Sequence, residues 1–303
     1  MWFKNLVVYQ FEEHPDIDQN ALEQGLDRRR FKPCGPQELE TLGWTSPMGD
    51  LSEQLFHMGA GMTLLTARRE ERILPATVIR EAVNKKVQEI EKKQDRKIGR
   101  KQKLDIRDQL TFEMMPRAFT RGTLIQGLVM PEQKLLVVDC ASRNRAEQWT
   151  SLLRQSLGSL PVKPLSLNRS PSNQFTGWLG NNAKLPAGIA LGDECVLQSP
   201  DDQGAVIRCR RQDLSGTEIR EHLRAGKVVT QLALEWKHAT SFVINEDADI
   251  KRLRFSDTLV EQAEADGVED PAAEFDARFA LMGLELSRFL PGLWDALGGL
   301  AAD

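Results

Sequence analysis

One segment constrains the fold more than any other, because it encodes two strands joined too closely to run in parallel. The stretch TLIQGLVMPEQKLLVVD predicts strands over residues 123–130 and 134–139 that turn at Pro131. Parallel strands need a crossover of about a dozen residues or more, whereas this connection leaves room only for a hairpin. The sequence therefore predicts antiparallel sheet.

Strand and helix patterns alternate along the rest of the chain. Further strands are predicted at residues 2–11, 61–68 and 204–211 and in the short stretches VVTQLALEW, SFVIN and IKRLRF. Residues 33–49, rich in glycine and proline, predict an irregular segment, and Ser215 followed by Glu218 predicts a capping box at the start of a short helix. This order indicates an α+β fold in which antiparallel sheets are backed by helices.

The chain divides into three regions by the same patterns. Apolar residues at helical spacing predict a helix over 76–97, and a thinner apolar stripe with a break at Gly99 predicts a second helix beside it. A proline-rich stretch at 160–172 predicts a domain boundary. We expect a central α+β domain over 1–75 and 116–165, a projecting helical arm over 76–115, and a C-terminal α+β domain over 166–303 that ends in acidic helices.

Charge is distributed unevenly. The formal net charge is −4. Residues 85–107 nevertheless carry ten Lys/Arg against four Asp/Glu, while residues 255–303 carry eleven Asp/Glu and only two arginines. Such asymmetry is typical of a surface that faces a polyanion and is kept apart from an acidic remainder.

The motifs of several enzyme and metal-site classes are missing. The four histidines include no pair at i, i+4, and Gly226–Lys227 lacks the upstream glycine and the following Ser/Thr of a phosphate-binding loop. The four cysteines form no CxxC pair, which predicts reduced thiols rather than disulfides or zinc ligands. We therefore predict a non-enzymatic protein without cofactor or metal. Since no apolar run reaches the roughly 18–20 residues of a membrane span, we expect a cytoplasmic protein with no membrane partner.

Two basic clusters accompany the arm. The first comprises Lys92, Lys93, Lys97, Arg100 and Lys101. Their charges could neutralise phosphates of a duplex, or they could form a solvated helix face. In the second cluster, Arg117, Phe119 and Arg121 alternate before a strand, so that a ring flanked by arginines could rest against bases. On the residues alone, burial of Phe119 in the core is the favoured interpretation.

A third cluster lies in VIRCRRQDL. On a strand, Arg208, Arg210 and Gln212 would share one face, whereas Arg211 would fall on the core side and reach out from the strand end. Neighbouring strands add Lys227, Lys251, Arg252 and Arg254. The alternative is that these groups form salt bridges with the acidic C-terminal region.

Ten strings occur in order along nearly the whole chain: WFKNLVVY, FKPCG, GWTSPMG, EERILPATVIREAV, MMPRAFTRG, VDCAS, SLLRQSLGSLPV, VIRCRRQDL, HLRAGKVVTQLALEW and KRLRF. Together they resemble the RdgC family of bacterial recombination-associated proteins. The resemblance implies an ATP-independent, nucleoid-associated protein that binds double-stranded DNA, and also single strands, with little sequence preference and that restrains RecA-mediated strand exchange. It also implies an elongated, curved subunit that forms a ring-shaped homodimer with a basic central hole.

The resemblance assigns roles to two of the clusters. It makes Phe119, between Arg117 and Arg121, the family's fingertip aromatic, and it matches Arg210 to Leu214 to a basic-basic-Gln-Asp-Leu motif. Two other functions stay open. One is a regulator that acts mainly by direct contact with RecA, with DNA binding secondary, and the other is a nuclease that uses Asp or Glu with magnesium.

Overall fold

A computed structural model describes residues 2–180, 183–201, 204–264 and 270–301, and its dominant feature is one large sheet. The strands of this described part are β1 (Leu6–Phe11), β2 (Glu40–Thr45), β3 (Phe56–Gly59), β4 (Met62–Arg72), β5 (Thr120–Met130), β6 (Leu135–Asp139), β7 (Val162–Pro164), β8 (Ile189–Gln198), β9 (Val206–Arg210), β10 (Val228–Trp236), β11 (Thr240–Asn245) and β12 (Ile250–Phe255). Its helices are α1 (Gln19–Asp27), α2 (Ala76–Gln94), α3 (Arg100–Met114), α4 (Arg143–Leu157), α5 (Pro171–Leu179), α6 (Thr217–Arg224), α7 (Asp257–Glu264) and α8 (Pro271–Ala296).

The strands follow the spatial order β2-β4-β5-β6-β1-β12-β11-β10-β8-β9, with β3 added beside β4 and β7 beside β1. The predicted hairpin is confirmed as β5 and β6, whose register places Gly127 opposite Val138. The described strand pairs are antiparallel, as in the pairs that β1 makes with β6 and with β12. The α+β class with antiparallel sheet and helices is therefore confirmed.

Strand β1 joins the two halves of the sheet. Leu6 lies opposite Asp139 of β6 on one side and opposite Ile250 of β12 on the other. The sheet thus continues through the proposed boundary between the first and second halves of the chain. The division into domains at 160–172 stays a prediction.

The two faces of the sheet bury different cores. Val7 and Tyr9 point into a core formed with α1 and α4, whereas Leu6 and Val8 point into a core formed with α5 and α8. Side chains of a strand alternate between faces, so one apolar strand can serve both cores. In the second half of the sheet, α8 covers one face, and the candidate site described below occupies the other.

Helix α8 packs beneath both halves of the sheet. Asp270 caps its start by accepting a hydrogen bond from the Ala272 N–H. In the first half, the backbone N–H of Phe3 contacts the Met282 sulfur at 3.3 Å, and in the second half the Trp236 ring lies 6.1 Å from Phe289. The apolar C-terminal helix is therefore a shared support for both halves.

Within the described part of the chain, no helix combines the length and apolarity needed to cross a membrane.

The two helices predicted for the arm segment are confirmed as α2 and α3, which follow β4 and precede β5; their role as a separate arm stays a prediction. Its own small core consists of Val87, Ile98 and Ile106. Helix α2 ends at Gln94 rather than near residue 97, because Asp95 takes a left-handed conformation with φ 50°.

Two local predictions were wrong. Residues 33–49 contain β2, which pairs with β4 because the buried Trp44 packs beneath it and donates its indole N–H to the Ser156 hydroxyl at 2.8 Å. Ser215 does not cap α6, whose N-cap is Gly216. The Ser215 N–H and hydroxyl instead donate to the carboxylate of Asp213, a stronger acceptor two residues earlier.

Candidate nucleic-acid interface

The candidate interface is a groove on the face of β8–β12 opposite α8, together with the exposed surface of the arm. The groove has a volume of about 830 Å³, and arginine side chains 211, 252 and 254 line it beside Gln212. A smaller cavity of about 150 Å³ adjoins it, is lined by Arg208 and Arg210, and shares Glu194 and Arg252 with the groove. We call these two connected cavities the arginine groove.

Alternation along β9 explains part of this arrangement. Arg208 and Arg210 are exposed, whereas Ile207 and Cys209 are half-buried and pack against the core beneath α8. The prediction that Arg208 and Arg210 share a face is therefore confirmed.

The predicted placement of the next two residues was wrong. Strand β9 ends at Arg210, and Arg211 adopts a left-handed conformation with φ 54°. Arg211 is exposed and lines the groove instead of lying on the core side of a strand. Gln212 also lies beyond the strand, and its backbone N–H donates to the Asp193 carbonyl at 3.1 Å. The turn after β9, rather than strand alternation, therefore brings both residues to the groove.

Glu194 organises the charges of the groove. Arg252 donates to both of its carboxylate oxygens, at 3.0 and 2.5 Å, and the Arg210 Nε lies 3.8 Å from it. The hydrogen bonds from Arg252 are the largest cause that holds the pKa of Glu194 below its usual range. Arg208, Arg211 and Arg254 have no ion-pair partner among the described residues. The groove therefore has two arginines paired with Glu194, Arg252 closely and Arg210 at a longer distance, and three further positive groups available to an anion. An acidic rim that includes Asp193 and Glu235 lies beside them.

Arg252 and Arg254 line the groove, although the sequence predicts them only as basic neighbours of the third cluster. Leu253 and Phe255 are buried while Arg252 and Arg254 are exposed. The alternation of basic and apolar residues in KRLRF is the sequence pattern that could have identified Arg252 and Arg254 as site residues.

Lys227, a predicted DNA-binding residue, does not line the groove. It directly precedes β10, next to the pairing of Val228 with Gln198, roughly 13 Å along β8 from Glu194. Its backbone N–H donates to the His222 carbonyl at 3.2 Å. Lys227 therefore belongs to the α6–β10 connection.

The first basic cluster occupies the tip of the arm. Lys92 and Lys93 lie in the last turn of α2, Lys97 in the connection, and Arg100 and Lys101 in the first turn of α3, and all five are exposed. Cations at the end of α2 interact favourably with its dipole. The solvated helix face stays open as an alternative.

The second cluster lies at the base of the arm, where the chain returns to the sheet. Phe119 is 85% exposed, so the expected burial was wrong. Arg117 belongs to a 3₁₀ turn and β5 begins only at Thr120, so the three residues do not alternate along one strand. Arg121 is bound to Glu71, and this contact is the largest cause that lowers the pKa of Glu71.

The tip and the base of the arm are separate sites. Helix α2 has 19 residues, which corresponds to a length of about 28 Å. The structure thus divides the predicted binding residues among the arm tip, the arm base and the arginine groove. In the described residues, no group of three or more His, Cys, Asp or Glu side chains could hold a metal ion.

Comparison with known proteins agrees with the sequence resemblance. A family model described as "Putative exonuclease, RdgC" matches residues 1–300. The chain is 44% identical over 300 residues to the recombination-associated protein RdgC of Pseudomonas paraeruginosa, covering 99% of this chain and 98% of that protein. It is 42% identical over 299 residues to the protein of the same name from Aeromonas hydrophila, with the same coverage.

Proposed function

We propose, from the premise that this chain belongs to the RdgC family, that it binds double-stranded DNA without sequence preference and restrains RecA-mediated recombination. In this proposal the protein is nucleoid-associated in the cytoplasm, acts as a ring-shaped homodimer and also accepts single-stranded DNA. It performs no catalysis.

The observation that carries the proposal is the arginine groove. Guanidinium groups match the geometry of phosphate oxygens, and Arg208, Arg211 and Arg254 have no carboxylate partner among the described residues. The arginine groove is lined by strands and by the turn after β9. Among the described residues that line it, none belongs to a helix that could enter the major groove of DNA. Contacts to the backbone without contacts to base edges give affinity without sequence preference.

The base of the arm supports self-association. Phe119, Ile73 and Leu124 are large apolar residues that are 85%, 42% and 60% exposed. The Ile73 N–H donates to the Phe119 carbonyl at 2.8 Å, so at least two of them are adjacent. Apolar groups that stand exposed together mark a surface that a partner covers, and we propose a second copy of the chain as that partner.

A salt titration of DNA binding tests the proposal. Duplexes of unrelated sequence should bind with equal affinity, and log K should fall by about 0.9 for each phosphate neutralised per tenfold rise in salt. The double variant Arg208→Ala/Arg210→Ala should weaken binding to all sequences. It should also reduce the slope of log K against log salt by an amount that corresponds to at most about two neutralised phosphates. The matched control is Arg28→Ala/Arg29→Ala, which removes two exposed arginines near the end of α1.

Each alternative function predicts a different outcome. An equal loss of DNA affinity in the groove variant and in the control variant would mean that the arginine groove has no special role in DNA binding. A complex with RecA that forms at high salt without DNA, combined with weak DNA binding, would favour the regulator that contacts RecA. Shortening of DNA in the presence of Mg²⁺ would favour the exonuclease described by the family model. Retention on a closed DNA circle and loss from the same circle after cutting would support the ring.

A further inference from the structure

Two cysteines lie directly opposite each other at the edge of the sheet. In the antiparallel pair of β8 and β9, Cys195 faces Cys209, between the pairs Glu194–Arg210 and Val196–Arg208. Residues directly opposite in such a pair have Cα atoms about 4.5 or 5.5 Å apart, depending on whether they exchange hydrogen bonds. Both separations lie within the roughly 4.4–6.8 Å that a disulfide spans.

The two thiols differ in environment. Both are reduced in the structure, with Cys195 buried and Cys209 half-buried. Burial, together with the charge and hydrogen bond of the Cys209 thiol, raises the pKa of Cys195 to about 12. Cys209 is the more exposed sulfur, so an oxidant from solvent meets it first and the buried Cys195 follows.

We propose that Cys195 and Cys209 form a redox-sensitive site, in which a peroxide converts the two thiols into a cross-strand disulfide that fixes β9 to β8. With hydrogen peroxide, the Cys209 thiolate attacks one oxygen and the O–O bond breaks, which gives a sulfenic acid and a hydroxide that takes up a proton to become water. The Cys195 sulfur then attacks the sulfenic sulfur, the S–O bond breaks, and the hydroxyl group leaves with the Cys195 proton as a second water. Together the two thiols lose two protons and two electrons, and one peroxide becomes two waters.

The disulfide would act on an edge strand. Among the described residues β9 has β8 as its neighbour on one side and no strand on the other. Arg208 and Arg210 project from the opposite face of the same strand into the arginine groove. The disulfide therefore restrains the strand that presents two groove arginines. An effect of this restraint on DNA binding rests on the proposed function, whereas formation of the bond does not.

Peptide mapping of the full chain tests bond formation. The protein is treated with hydrogen peroxide, remaining thiols are blocked, and tryptic peptides are analysed by mass spectrometry before and after reduction. We expect a linked pair of peptides, one holding Cys195 and one holding Cys209, with the loss of two hydrogen masses and full reversal by dithiothreitol. Oxidation that leaves both thiols free, a mixed adduct on Cys209 alone or a link between two chains would overturn the proposal.

Matched variants locate the effect. Cys34→Ser/Cys140→Ser removes the other two thiols and should form the link as the wild type does. Adding Cys209→Ser should abolish the link. In the oxidised wild type, amide exchange at residues 206–210 should slow at least tenfold, and unchanged exchange would show that the bond does not restrain β9. All of these measurements are made without DNA, so failure of the proposed DNA binding would leave their outcome intact.

Discussion

Arg72 at the end of β4 holds the base of the arm, and its removal tests how the arm is attached. A guanidinium has five N–H donors. Here Nε donates to the Glu38 carbonyl at 3.1 Å, Nη1 to the carbonyls of Met115 and Ala118 at 2.9 and 3.2 Å, and Nη2 to those of Cys34 and Gly35 at 3.3 and 2.9 Å. One side chain thus ties together the loop before β2, the end of β4 and the segment that returns from α3.

Replacing Arg72 by methionine keeps the aliphatic stem and removes all five donors. A net hydrogen bond contributes about 0.5–1.5 kcal/mol, and water can reach part of this half-buried site to replace some of the lost bonds. We expect the free energy of unfolding to fall by about 2–4 kcal/mol. Because the contacts to Met115 and Ala118 are lost together, amide exchange should accelerate most at residues 115–119.

The assay combines urea denaturation with hydrogen exchange followed by mass spectrometry. Arg72→Lys keeps the charge but offers one nitrogen, so it should recover only a minor part of the loss. Arg121→Met is the matched control, because Arg121 is 60% exposed in an ion pair with Glu71 and such pairs contribute about 0–1 kcal/mol. If Arg72→Met lowers stability by no more than this control and leaves exchange at 115–119 unchanged, the proposed attachment is wrong.

Three further predictions concern the core, the groove and the arm. Gly127→Ala should destabilise the fold by about 2–3 kcal/mol in thermal or urea unfolding, because a Cβ at Gly127 would lie 2.3 Å from the buried Trp149 ring; a neutral substitution would mean that the ring can move. Since the folded-state pKa of Glu194 is lowered, its stabilising effect is present above the unfolded pKa and is lost as pH falls through the folded pKa. The stability difference between wild type and Glu194→Gln should therefore shrink in acid, and a difference that grows as pH falls would contradict this sign. Phe119→Ala should leave the free energy of unfolding within about 0.5 kcal/mol, since the ring is 85% exposed, but should reduce self-association in sedimentation; unchanged association would remove Phe119 from the proposed contact.

The elements that sequence predicted well are local ones. The β5–β6 hairpin is specified by two apolar runs and a short turn, and the arm by apolar residues at helical spacing. Strand β2 was missed because the glycines and prolines of residues 33–49 outweigh a short pattern whose decisive feature is burial of Trp44 against α4. That contact joins residues 112 positions apart, and no local pattern encodes it.

The site was predicted in its residue types and only partly in its geometry. Alternation placed Arg208 and Arg210 correctly because both lie inside β9. It failed for Arg211, since the strand ends one residue earlier and a left-handed residue redirects the chain. Phe119 is predicted to be buried because apolar residues usually pack in a core, whereas it lies exposed where the chain returns from the arm to the sheet. Whether such a residue is buried depends on which element packs against it in the fold, and the neighbouring sequence does not encode that contact.

The central place of β1 has a consequence for synthesis. β1 is made before the other strands of the sheet, yet both of its principal neighbours come later. Asn5, just before β1, contacts Arg252 of β12, 247 residues further along the chain. At about 5–20 residues per second, the ribosome needs roughly 12–50 s to supply that neighbour. During this time β1, which has apolar side chains on both faces, lacks its β12 partner, so its edge on that side stays unpaired until β12 has been made.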